Sequence, residues 1–210
     1  MSVSAVQICN LALLKFGDTT ITSITSPTDK LERACAAIYP LMRDLMLYSY
    51  TWNFAMTRAD ISAVLADTPA FQWDYAYTVP VDCLRVWELY GTDAKWQVED
   101  GKLLTNQDSE IYIRYIKAIE TTGNFNAAFV NCLAVRVAAE LASKIKGDMK
   151  RRAALLEELH KIELPRAYRL NAIEGNRQIE KWEQGLDQGN YSWQSTGHSG
   201  DILTDKVFST

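Results

Sequence analysis

Residues 71–89, FQWDYAYTVPVDCLRVWEL, alternate large aromatics with smaller or polar side chains. At a period of two, Phe71, Trp73, Tyr75, Tyr77 and Val79 line one face of a strand. Pro80 lacks an N–H and ends that strand, Asp82 can brace the turn through its carboxylate, and a second apolar run opens at Cys83. The text on either side has helical spacing. It predicts a mainly α fold: a helical bundle formed by residues 1–60 and 118–175, an inserted antiparallel β-rich domain at 61–117, and an extended C-terminal tail at 176–210.

Inside the insertion, Trp96-Gln97-Val98-Glu99 and Lys102-Leu103-Leu104-Thr105 flank Asp100-Gly101. Two alternating runs joined by the dipeptide that type I′ turns prefer predict a hairpin. Residues 110–116 alternate again. With 71–79 and 84–89 this gives about five strands, mostly antiparallel because their connections are short.

Ser4 and Gln7 have capping-box spacing, and Ala5, Ile8, Cys9, Ala12 and Phe16 follow at helical intervals up to Gly17, which predicts a helix over 4–16. Ser26-Pro27-Thr28-Asp29 predicts the next start, with Ser26 as cap, Pro27 at the first helical position and an acid in the first turn. Leu31, Ala34, Cys35, Ile38, Met42 and Leu45 form its buried stripe, and Pro40 inside it predicts a kink. Tyr48, Tyr50, Trp52 and Phe54 then alternate without the interleaved Arg and Lys that stacking on nucleic acid calls for. They read as a plug between helices and sheet. Asn124 can cap a third helix that closes at Gly147, and Asp148 opens a fourth. There Lys150, Arg151 and Arg152 beside Glu157 and Glu158 read as a solvated charged face rather than a phosphate site. Pro165 bends or breaks that helix, and helix-like text continues to about residue 183.

The chain has 210 residues, 48% hydrophobic and 23% charged, enough to bury a sizeable core, and its formal charge of −4 argues against a broad nucleic-acid face. Cys9, Cys35, Cys83 and Cys132 are far apart and sit in apolar patterns, so they read as buried small hydrophobes. The N-terminus lacks the basic start of a signal peptide, and no apolar run reaches the roughly 18 residues of a membrane span. A cytoplasmic place of synthesis is expected, with no membrane anchor.

No catalytic, metal or cofactor site is legible. His160 lies in a charged helix and His198 in the tail, and no glycine-rich phosphate loop, HExxH or GxSxG occurs. Asp74 and Asp82 have the residue types for glycosidic acid/base work, but a chain with 26 acidic residues offers many such pairs. Beyond residue 185 the text has no period, yet it holds Tyr191, Trp193, Ile202, Leu203, Val207 and Phe208. Such anchors suit a segment that orders on a partner, with docking on its own domain as the other reading.

Several motifs occur together: Ile8–Leu13 text of the IxNxAL kind, Arg43-Asp44-Leu45-Met46-Leu47, Trp52-Asn53-Phe54-Ala55, Trp73-Asp74-Tyr75-Ala76-Tyr77, Pro80-Val81-Asp82-Cys83-Leu84-Arg85-Val86, and an alanine-rich helix from near Phe125. In this order they resemble the tail tubular protein A family, the head-to-tail adaptors of short-tailed, T-seven-like bacteriophages. The resemblance spans residues 3–173. It implies a virion structural protein rather than an enzyme, with no cofactor, in a ring of about twelve copies. The ring would lie between the portal protein and the tail nozzle, a tubular protein B-like partner, and extend the channel through which genome DNA passes without sequence-specific binding. An acidic chain suits such a conduit, since few cations would hold the phosphates. The expected contact residues are Asp100 and Gly101 at the hairpin tip and Trp182, Tyr191 and Trp193 in the tail. A tail-associated polysaccharide or cell-wall hydrolase and a portal-plugging head-completion protein are the alternatives.

Overall fold

The computed structural model describes residues 3–15, 17–65, 69–108 and 110–174. The first helix, α1 (Ala5–Lys15), begins at the expected capping box: Gln7 N–H donates to Ser4 Oγ at 3.2 Å and Ser4 N–H to Gln7 Oε1 at 2.7 Å. The second, α2 (Lys30–Ser49), starts later than Ser26-Pro27 predicts. Asp29 is its cap, accepting the Glu32 N–H at 2.7 Å. The cause is Glu32, whose carboxylate takes the N–H and hydroxyl of Thr28 and holds the preceding residues in a loop. Pro40 lies inside α2, and the helix runs through it.

A 3-10 turn at Asn53–Ala55 leads directly into β1 (Met56–Asp60). Then come β2 (Tyr75–Thr78), β3 (Cys83–Tyr90), the hairpin β4 (Trp96–Glu99) and β5 (Lys102–Thr105), and β6 (Tyr112–Lys117). These form two antiparallel sheets, ordered β1-β6-β3 and β2-β5-β4. The mainly α expectation is therefore corrected. Among the described residues 49% are helical and 19% are in strands, and the fold is mixed, with helices packed beside two three-stranded sheets. The sequence reading missed β1, whose five residues MTRAD show little alternation and are extended because β6 supplies the ladder. The run 71–79 supplies only four strand residues, because Gln72 at φ 71° turns the chain before Tyr75.

After a 3-10 turn at Thr122–Asn124, α3 (Ala127–Lys146) is capped by Asn126, not Asn124: Asn126 Oδ1 accepts the Phe129 N–H at 2.8 Å. Gly147 closes α3 at φ 64°, and Asp148 caps α4 (Met149–Glu158). A π turn, Leu159–Glu163, continues without a break into α5 (Leu164–Glu174). Pro165 thus does not break the helix: it stands inside a continuous run, one residue after the Leu164 N–H closes the π turn on the Leu159 carbonyl, and its missing N–H costs one helical hydrogen bond.

Residues 1–175 cluster as one unit with two buried cores. The larger surrounds α3, whose Phe129, Leu133, Val137 and Leu141 are fully buried among α1, α2, α4 and α5. The smaller lies in the sheets around Tyr77, Leu103, Ile111 and Ile113. Strand β6 serves both, since Ile116 belongs to the helical core and Ile113 and Tyr115 to the sheet core. Trp52 fastens the joint: it is fully buried, donates Nε1–H to the Met46 carbonyl at 2.9 Å, and meets Phe129 edge-on at 5.0 Å. Of the plug residues, Tyr50 and Phe54 pack on this core, while Tyr48 is half exposed.

Candidate interaction surface

The hairpin tip has the expected form. Asp100 at φ 48° and Gly101 at φ 68° give the left-handed pair of a type I′ turn, and both residues are exposed. Strand β4 forms one edge of its sheet. Beside the tip, Phe71, Trp73, Ala76, Glu99, Asp100 and Leu104 line a cleft of about 300 Å³. Trp182, Tyr191 and Trp193 lie outside the described residues, as does His198.

The two candidate carboxylates have different surroundings. Asp74 is exposed at the entry to β2, its N–H donating to Asn106 Oδ1 at 2.9 Å. Asp82 precedes β3 and is taken up by a second structural tie: Lys117 Nζ lies 3.0 Å from Oδ2 and Tyr115 donates its hydroxyl to Oδ1 at 3.0 Å. Lys117 above all, with Tyr115, holds the Asp82 carboxyl below the ordinary carboxylate range. Burial first, and this hydrogen bond second, pushes Tyr115 up to about 12. Asp82 therefore braces the turn, as expected from its place after Pro80.

In the basic cluster Lys150 and Arg151 are exposed, as expected of a solvated face, and two of its three cations also make structural ties. Arg151 donates to the Lys15 carbonyl at the end of α1, Arg152 pairs with Glu140 at 3.2 Å, and Lys15 pairs with Glu158 at 3.0 Å. Cys9, Cys35 and Cys132 are buried as expected, and Cys83 is half-buried. Burial pushes the Cys132 thiol up to about 12 and the Cys83 thiol up to about 11. Among the described residues no three His, Cys, Asp or Glu side chains are placed to hold a metal.

Sequence reading missed an exposed aromatic pair brought together around a cation. Strand β3 carries two bulges against β6, with Leu84 and Trp87 as the extra residues. Arg85 lies between Trp87 of the same strand and Tyr48 of α2, 5.6 and 5.5 Å from the two ring centres. On the same sheet, Arg58, Asp60, Tyr90, Tyr112 and Arg114 line a shallow apolar cavity of about 390 Å³. Arg114 pairs there with Glu88 at 2.8 Å, while Arg58 directly opposes Arg114 across the ladder. The i, i+2 placing of Arg85 and Trp87 was visible in the sequence, but the approach of Tyr48 from α2 was not.

No protein-family model matches this chain, and no curated protein matches it.

These surfaces offer flat aromatic and aliphatic area with scattered cations, which suits contact with a macromolecule. No described helix is long and apolar enough to cross a membrane.

Proposed function

We propose that this chain is a virion structural protein, a head-to-tail adaptor of short-tailed bacteriophages that assembles as a ring of about twelve copies between portal and tail nozzle and extends the DNA channel. The observation that carries this reading is where the motif residues fall. Residues 52–55 pass the chain from α2 to β1, with Trp52 and Ala55 buried. Residues 80–86 pass it from one sheet to the other, and there Leu84 packs on the helical core and Val86 belongs to the sheet core. The motifs are thus the joints of the frame. A likeness at the joints is a likeness of architecture, which supports an assembly part more than a shared reaction. Exposed Leu41, Leu45, Trp87 and Tyr112 add surface of the kind that subunit contacts cover.

In this reading the exposed Asp100-Gly101 tip meets the nozzle or a neighbouring subunit, and Trp182, Tyr191 and Trp193 order against the portal or a neighbour. Native mass by light scattering, for the full chain alone and mixed with portal purified from the same virus, tests the proposal. A stoichiometric complex with portal is expected; a chain that stays monomeric beside portal overturns it. A glycan hydrolase is the second reading, favoured by the cleft where Phe71 and Trp73 stand with Glu99 and Asp100. Glycan cleavage that disappears in Glu99→Gln would put it first.

A further inference from the structure

Two apolar faces of the helical layer lie open, and they differ in shape and charge. On α2, Leu41, Leu45 and Tyr48 recur at i, i+4 and i+7 as an exposed stripe. The stripe continues onto β3 through Arg85 and Trp87. Among the described residues no carboxylate pairs with Arg85, and its Nε is buried without a hydrogen-bond partner. The two rings therefore hold a cation that no described carboxylate pairs, at the end of an exposed row of bulky apolar side chains that forms a ridge on α2 and β3.

The second face is a groove of about 290 Å³ lined by Ala127, Ala128, Glu163, Arg166, Ala167 and Leu170, between the start of α3 and α5. Ala127 and Ala128, with Ala167 buried beside them, leave room for a large side chain to approach the backbone. Glu163 has no ion pair among the described residues, and the neighbouring Arg166 is exposed, with a side chain long enough to stay in solvent. The two faces lie on different sides of α3. Arg136 of α3 meets Met42 of α2, Nε to Sδ at 3.4 Å, and at 100° per residue the groove residues of α3 stand roughly 130° around the helix from Arg136. A ridge on one side and a groove on another is the arrangement that joins copies head to tail.

We infer that the α2–β3 ridge of one copy seats in the α3–α5 groove of the next, with Leu45 and Tyr48 over the alanines and Arg85 against Glu163. The inference rests on the proposed ring and names its seam. Ridge and groove are complementary in form as well as charge, since the ridge brings bulk and a cation and the groove brings space and a carboxylate.

The test uses the full chain without portal, so its result is independent of the portal-mixing experiment. Sedimentation at rising concentration, to about 0.5 mM, reads self-association. Wild type is expected to associate, and Arg85→Glu or Glu163→Arg to weaken association by about a hundredfold or more, because like charges then face each other. An equimolar mixture of these two variants regains association in alternation. The double variant associates with itself but not with wild type. Arg85→Gln and Glu163→Gln, read beside their far-UV spectra, keep the test open should a reversal disturb folding; each is expected to weaken association about tenfold. A wild-type chain monomeric throughout, or folded reversal variants that associate like wild type, overturns the inference. Portal binding that persists alongside such a result leaves the adaptor reading standing. Association of the isolated chain with no portal binding removes the adaptor reading and leaves the seam.

Discussion

Glu32 is a buried carboxylate that stays charged because donors surround it. Its Oε1 accepts from the N–H groups of Thr22 and Ser23 and the Thr22 hydroxyl at 3.0–3.2 Å, and its Oε2 from the N–H and hydroxyl of Thr28 at 2.8 and 3.0 Å. The Thr28 N–H first, then the Thr22 groups, lower its pKa from an ordinary 4.5 to about 2. A folded-state pKa below the ordinary value means a contribution that is complete above the ordinary range and lost as pH falls through the folded one. Glu32→Gln is therefore expected to lower Tm at neutral pH, and the gap to wild type should narrow below about pH 4.5 and close near pH 2. Thermal melts across that range check it; a gap that does not vary with pH would show that shape rather than charge matters. At Trp52 the term is packing. Trp52→Ala empties a fully buried site and leaves the Met46 carbonyl without its donor, so a loss of about 3–5 kcal/mol is expected from urea unfolding, and less for Trp52→Phe.

Among the elements, the hairpin was the most legible in the sequence because two adjacent residues determine it. The left-handed conformation at Gly101 is free for glycine and strained for any residue with a Cβ, and no atom lies within 4 Å of where that Cβ would stand. Gly101→Ala is accordingly expected to cost only the conformational term, roughly 1–2 kcal/mol, as a lower urea midpoint with unchanged m. Helix starts were legible to within a few residues. Ser26 and Asn124 have the right chemistry to cap, but Asp29 and Asn126 do so, since Glu32 draws Thr28 into a loop and a 3-10 turn uses up Thr122–Asn124. What stayed hidden was set by distant partners. Strand β1 exists through β6, more than fifty residues later in the chain, and Tyr48 meets Arg85 only because α2 lies against β3. The candidate surface was correspondingly less legible than the fold: its hairpin tip could be read locally, while the Tyr48–Arg85–Trp87 ladder needs two elements brought together.

For the whole molecule, the adaptor reading makes residues beyond 185 a contact segment, and a chain ending at Gly185 is expected to lose portal binding in light scattering while still unfolding cooperatively in urea. Undiminished portal binding would remove that role from the tail. The two ends of the helical layer are tied by Asn171, nearly fully buried, which accepts from the Asn53 N–H at 2.8 Å and donates to the Thr51 carbonyl at 3.0 Å. Asn171 follows the π turn at Leu159–Glu163, where the Leu164 N–H reaches back to the Leu159 carbonyl. That wider loop holds one residue more than an α turn. Remove that extra residue and the turn closes as an α turn over nearly the same rotation and rise, so the side chains of α5 keep their phase, whereas a residue lost from regular α-helix rephases all that follow by about 100°. Asn171 would stay in its slot and Leu170 would keep its facing, so this short segment is the molecule's slack link: the helical layer carries one spare residue there, and a single-codon deletion at that point would leave both the internal lock and the outer groove in step.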